Sequence, residues 1–335
     1  MPTEGDFIET FLERIRNTEA GFIERGPKED DCATLEFGNE YIVVSTDRVN
    51  SSPISFSLGL KDYSSLGRIL CAANMSDLLA TGVSPSGLLV NMYLPGEVDE
   101  QRIEEIADGV SEYATEYDCP VLGGDTKIQE NMTLSGTCVG IADSREQLRF
   151  QDCAEPGDLI VLSGPVGDCY ASTLARSESE VPPGDEEFVR KSILDPGVPY
   201  ELNREFVSRG IGKGGLDISD GLGSDLKILA AQSEVGLRVV ADKIPIREET
   251  ERIAERFGVD ATELAFGFGG DWEFVATVDE SNREKIPDSA HVIGRVTAER
   301  ACQLVVEEET VPLPHFGHDD FSKDGFLDQL EKVIA

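Results

Sequence analysis

The stretch GGLDISDGLGSDL, residues 214–226, restricts the fold more than any other part of this chain. Asp217 stands between Leu216 and Ile218, where a buried strand would carry an apolar side chain, and Asp220 follows within one turn. A carboxylate withdrawn from water must be hydrogen-bonded, paired or bound to a metal, because an isolated buried charge is strongly destabilising. The segment therefore demands a fold that brings partners to it from elsewhere. Asp225, inside the next helical run, is expected on the solvent side or in a structural role.

Similar acids recur. Asp30 and Asp31 precede CATLEF, Asp47 ends the strand-like IVVSTD, Asp77 lies in an apolar helical run, and Asp125 follows VLGG. Most acidic residues in such a chain are solvated surface. These adjoin apolar runs, and most sit beside Gly, Ser or Thr. Asn74 and Asp77, three residues apart, project from one side of a helix. Capping of a backbone, or an arginine partner, is the structural alternative for Asp77.

If these acids converge, repulsion raises their pKa values unless cations intervene. Lys28 and Lys127 are the only lysines close by in sequence. Hard divalent cations fit better: Mg²⁺ takes oxygen ligands and bridges carboxylates to phosphates. Hydroxyls at Ser45, Thr46, Thr126 and Ser219, with the amides of Gly123 and Gly124, add ligands or phosphate donors. Phosphoryl transfer is the chemistry such a set serves.

The apolar pattern predicts strands at 40–47 and 85–95, amphipathic helices at 63–82 and 99–118, and strands at 119–126 and 132–143. A polar stretch at 143–158 marks a domain boundary, dividing the chain into 1–146 and 147–335. The second half alternates strand and helix, with SESEVPPGDEEF read as a loop. Two α+β domains side by side is the expected architecture.

Composition excludes several classes. A net charge of −36 opposes nucleic acid and anionic membrane surfaces. Spread along the chain, with lysine scarce, it suggests a salt-rich, halophilic cytosol in which ions screen self-repulsion. No apolar run approaches the ~20 residues of a membrane span, and the acidic start MPTEGDFIETFLERIRN does not read as a secretory signal. Seven cysteines without a C-x-x-C pair read as thiols in a reducing, cytoplasmic compartment. The three histidines, His291, His315 and His318, come late and lack a G-x-S-x-G elbow. GIGKGG (210–215) precedes a strand instead of following one, so it is no dinucleotide fingerprint, and no P-loop occurs.

The ordered motifs EDDCATL, STD, NMSDLLATG, GGDT, EPGDLIVLSG, LDISDGLGSDL, GGDWEF and GHDDF resemble those of the thiamine-monophosphate kinases, over residues 26–321. These kinases sit in the PurM-like superfamily of aminoimidazole ribonucleotide synthetase. The resemblance implies an N-terminal α+β domain that pairs in a homodimer and a C-terminal α/β domain, with ATP and Mg²⁺ in the cleft. It implies metal binding by Asp31, Ser45, Thr46, Asp47, Asp77, Asp125, Asp217 and Asp220, with Asp77, Asp125 and Asp217 as the catalytic centre. ATP would touch Ser45, Gly124, Asp125 and Ser219, and the acceptor, thiamine monophosphate, would meet Asp271, Trp272, Glu273 and His318.

Four departures accompany it. No histidine follows STD, GGDWEF is one residue short, His318 replaces an aromatic residue, and Gln151 replaces an ATP-contacting arginine, which Arg149 is expected to supply. Another ATP-dependent enzyme of the superfamily is the alternative reading. A nucleotide-binding paralogue without catalysis is disfavoured, since carboxylates without metal would destabilise the fold.

Overall fold

The computed structural model describes residues 30–314 except 180, 268 and 308, together with Thr10 and the strand 23–25. The first sheet runs β1 (Ile23–Arg25), β2 (Ala33–Phe37), β3 (Glu40–Asn50), β7 (Thr133–Ala142), β4 (Pro85–Leu94), with β5 (Val121–Gly123) and β6 (Thr126–Ile128) both along the free side of β4. β3, β7 and β4 pair antiparallel, whereas β5 and β6 run parallel to β4 as one interrupted edge strand. Between the β-elements lie α1 (Pro53–Ser57), α2 (Tyr63–Ala80) and α3 (Glu100–Glu116).

The second sheet has the order β14 (Glu309–Pro312), β13 (Cys302–Val306), β10 (Gly236–Val240), β12 (His291–Thr297), β8 (Leu159–Leu162), β11 (Phe274–Val278), β9 (Gly215–Asp217). Its strands pair antiparallel except β10 with β13. Around it are α4 (Asp168–Ser177), α5 (Glu186–Leu194), α6 (Tyr200–Arg209), α7 (Leu222–Gln232), α8 (Glu248–Phe257) and α9 (Ala261–Phe266). α5 begins inside the stretch read as a loop from sequence. Its nine residues bury only Val189 and Ile193, so the charges around them mask the period.

α2 decides where the site can be. Its sequence, YSSLGRILCAANMSDLLA, is apolar around most of its girth, and such a helix is stable only when covered on all sides. Asp62 caps its start by accepting from the Ser65 amide. One flank packs with β3 and β7 through Cys71, Met75 and Leu78, beside Val43 and Cys138. Its last residue, Ala80, joins the second domain's cluster with Phe206, Phe274 and Val161. The helix is thus wedged between the two sheets, and residues near its C-terminus face both.

Candidate active site at the junction of the two domains

Ser76 and Asp77 are neighbours on α2, about 100° apart around the helix, and they address different domains. Asp77 faces β3 and accepts a hydrogen bond from Ser45 Oγ through Oδ2. Ser76 faces β9, its Oγ donating to Asp217 Oδ2 at 2.7 Å. One turn back, Asn74 Oδ1 accepts from the Asp47 amide at 3.1 Å, so Asn74 and Asp77 do share a side. Asp31, just before β2, closes the group. One carboxylate oxygen from each of Asp31, Asp77 and Asp217 lies within 4.8 Å of the others.

The electrostatics are those of a crowded anion site that runs from exposed Asp31 through half-buried Asp77 to buried Asp217. Burial first, then repulsion from Asp31, pushes Asp217 up to about 8. Asp77 is raised well above the carboxylate range by burial, with Asp217, Asp31 and Asp47 adding repulsion. Asp31 is raised to about 6 by burial, although Gln151 Nε2 donates to it at 2.6 Å. Asp47 is raised by burial as well. Asp220 adds its charge to the field on Asp31 and Asp217, and Ser219 lies half-buried between the two second-domain acids. Hydroxyl donors, oxygen-only ligands and surplus negative charge are the conditions a hard divalent cation satisfies.

Several expected residues lie elsewhere. Thr46 alternates to the opposite face of β3, where its hydroxyl donates to Gly136 O at 2.7 Å, so the hydroxyl does not join the carboxylates. Asp125 lies apart, between β5 and β6, exposed and 3.3 Å from Lys127. The row Asp47–Gly136–Val90 leads to Gly124 across the sheet, about 14 Å at ~4.8 Å per strand. Gly124 has φ 155°, and a Cβ there would fall 1.6 Å from Val90 O, so only glycine closes this turn.

Arg149 requires a correction: its guanidinium is wholly buried against Leu79 O, Ala80 O and Asn203, and is not free for ATP. Asp225 also differs from expectation on one count. It is buried, and its Oδ2 accepts the Asp220 amide at 3.2 Å, which leaves the structural role and removes the solvent-side one.

Asp271 accepts from the Gly167 and Cys169 amides at 2.7 and 2.9 Å, capping α4, and burial lifts it to about 7. Glu273 accepts from Ser163 Oγ and is lifted by burial to about 7. Its main-chain oxygen also holds the Ile218 amide at 2.6 Å, directly beside Asp217. Trp272, between them, takes a left-handed φ of 54° and packs on the first domain's apolar core. His318 lies outside the described residues. Sequence reading missed Ser76 as a carboxylate partner, and it noted Gln151 only as a departure. The S-D pair in NMSD was the available signal.

Two cavities flank α3. One, of about 650 Å³, opens between α3 and the β4–β5 edge, with Val90, Met92, Ile106, Val110 and Val121 in its walls. The other, of about 530 Å³, lies between the domains and is lined by Tyr117, Phe188, Asp168, Asp195, Asp271 and Glu273. Both fall within the usual size of small-molecule sites.

A two-domain chain with an acid cluster at its junction defines a class. Residues 29–142 match the AIR synthase related protein N-terminal domain, and residues 155–307 match the C-terminal domain of the same family. The chain is 31% identical to a thiamine-monophosphate kinase of Methanopyrus kandleri over 302 residues, covering 90% of this chain and 92% of that one. It is 30% identical to the Escherichia coli K12 enzyme of that name, covering 95% and 98%. The thiamine-monophosphate kinase structure from Stenotrophomonas maltophilia K279a superposes with a TM-score of 0.72 at 29% identity, covering 91% and 96%. AaThiL complexed with AMPPCP and TMP shares the fold at a TM-score of 0.80 and 24% identity, covering 95% and 97%. The chain belongs to the thiamine-monophosphate kinase family.

Proposed function

We propose that this protein transfers the γ-phosphoryl group of ATP to thiamine monophosphate, giving ADP and thiamine diphosphate, with Mg²⁺ as cofactor. The meeting of Asp31, Asp77 and Asp217 carries the reading. Three carboxylates from distant segments, two of them held by serine hydroxyls, fit a hard cation and are poorly stable without one. When bound, Mg²⁺ would neutralise the transferring group and orient its oxygens. Asp47 and Asp220 extend the ligand set, while the amides of the Gly123–Gly124 turn would meet the nucleotide phosphates and Asp125 would reach them through a bridging Mg²⁺.

The acceptor is a phosphate oxygen, already ionised near neutral pH because the second pKa of a phosphate monoester is about 6. No general base is therefore needed. The chain's contribution is to align donor and acceptor and to exclude water. The apolar cavity beside α3 suits adenine. The interdomain cavity, bounded by Asp271 and Glu273, suits the acceptor's rings: Tyr117 and Phe188 offer faces, and the carboxylates favour the cationic thiazolium.

The reading extends to assembly. Phe37, Leu89, Leu122 and Ile141 are exposed on the first sheet, on the side away from α2. An apolar sheet face of this kind suits a second copy, forming a homodimer. No helix among the described residues is long and apolar enough to cross a membrane. We place the protein in a salt-rich cytoplasm, with domains 1–146 and 147–335. The test is product analysis: ATP, Mg²⁺ and thiamine monophosphate incubated with the protein at high KCl should yield thiamine diphosphate, and none should form with EDTA. Repeated absence of that product across salt concentrations rejects the proposal.

A further inference from the structure

Arg149 is 1% exposed, and its guanidinium sits among apolar side chains. Nε donates to Ala80 O at 2.8 Å, and one terminal nitrogen donates to Leu79 O and to Asn203 Oδ1. The main chain adds a bond from the Arg149 amide to Thr81 O at 2.9 Å. The guanidinium carbon lies 4.8 Å from the Phe274 ring centroid and 5.6 Å from that of Phe206. Those two rings pack edge to face at 5.5 Å. Burial is the one cause that lowers its pKa, to about 9, with no carboxylate contributing.

A buried cation with no ionised partner is costly unless something else compensates. Here the compensation is the C-terminal end of α2, whose last carbonyls have no intrahelical donors and carry the negative end of the helix dipole. Arg149 therefore acts as a cap supplied from the segment that leads into the second domain. It ties that helix end to α6 through Asn203 and to β11 through Phe274. β9 is drawn in as well: a Cβ on Gly215 would lie 2.9 Å from Ala80 O and 3.2 Å from Arg149 Cβ. Asp77 is three residues before Ala80, and Asp217 is two residues after Gly215.

We infer that Arg149 is a positioning residue for the carboxylate site, fixing the end of α2 against β9 so that Asp77 and Asp217 stand at metal-binding distance. It touches no substrate and acts through the backbone it holds. The inference rests on the metal reading above. It differs from a purely structural role in one respect. Arg149→Met removes the desolvation cost of the buried cation but leaves Leu79 O, Ala80 O and Asn203 Oδ1 without its donors, and buried acceptors left unpaired lower stability. A metal site that loosens in the protein that still folds separates positioning from stability alone.

The experiment uses the full chain without nucleotide and titrates Mn²⁺ alone. Free Mn²⁺ is read by electron paramagnetic resonance, and the fluorescence of Trp272, the chain's one tryptophan, is followed in parallel. Arg149→Met is expected to weaken Mn²⁺ binding about tenfold, measured at a temperature well below its lowered thermal midpoint. Asn203→Ala, which frees one arm of the guanidinium, should weaken it less and add nothing in the Arg149→Met background. Unaltered Mn²⁺ affinity in Arg149→Met overturns the inference. If that variant fails to fold, unaltered affinity in Asn203→Ala overturns it equally. Absence of Mn²⁺ binding in the unsubstituted chain would overturn the metal reading, and this inference with it.

Discussion

Asp217→Asn isolates the cost of assembling the carboxylate site. Asp217 is 3% exposed, and its pKa rises from 3.8 to about 8, first through burial and then through repulsion by Asp31. For an acid whose folded pKa exceeds its unfolded value, the stabilising contribution is complete below about pH 4 and is lost as pH rises through 8. Between pH 6 and pH 8, at 1.36 kcal/mol per unit, this one group should cost the metal-free protein about 2 kcal/mol. Asparagine can keep the Ser76 hydrogen bond but does not titrate, and its neutrality also relieves Asp31 and Asp77.

The assay is urea unfolding with EDTA at both pH values and constant high salt. The unsubstituted protein should lose at least about 2 kcal/mol more than Asp217→Asn over this interval. Adding Mg²⁺ at pH 8, at about 100 times its Kd, should return about 2.7 kcal/mol to the unsubstituted protein and much less to the variant. Parallel losses in the two proteins would refute the claim that Asp217 is held protonated by its surroundings.

Asp77→Asn should leave the protein folded and lower turnover by at least about 10²–10³, the range seen when one preorganised electrostatic group is removed; near-normal activity would displace the proposed metal site. Asp125→Asn should also depress turnover, and an unchanged rate would place the nucleotide elsewhere. Ile141→Glu, on the apolar outer sheet face, should halve the mass seen by light scattering in high salt, and an unchanged mass would reject that face as the contact between copies. With a net charge of −36, the thermal midpoint should climb as KCl goes from about 0.1 M to 1 M, where the Debye length falls from about 10 Å to 3 Å; a flat profile would remove the salt-adapted reading.

Residue types and spacing showed which carboxylates needed partners, and three of them meet. They did not show the phase of a strand. Ser45 and Thr46 are equally plausible ligands on paper, but alternation on β3 turns only Ser45 toward α2. Nor did they show which of two nearby polar residues enters the cleft. Gln151 reaches Asp31 at 2.6 Å while Arg149 turns into the interface, a choice made by the carbonyls at the end of α2. For Asp225 the sequence leaves a solvent-side and a structural role open, because α7 carries both charge and apolar residues, and burial selects the second. In the fold, Leu222, Leu226 and Leu229 are buried together with Ser224 and Asp225.

The adjacency of Ser76 and Asp77 has a thermodynamic consequence. Because one residue reports to β9 and the next to β3, a cation held by Asp77 and Asp217 is bound by both domains at once. By linkage, whatever metal binding gains from the assembled junction, the junction gains from metal binding. Without metal, and once pH rises through the elevated pKa values of Asp217 and Asp77, repulsion between the ionised carboxylates would work against the junction, while Arg149 and its aromatic cradle hold the same helix end from the apolar side. One set of contacts is conditional on the ligand and the other is permanent.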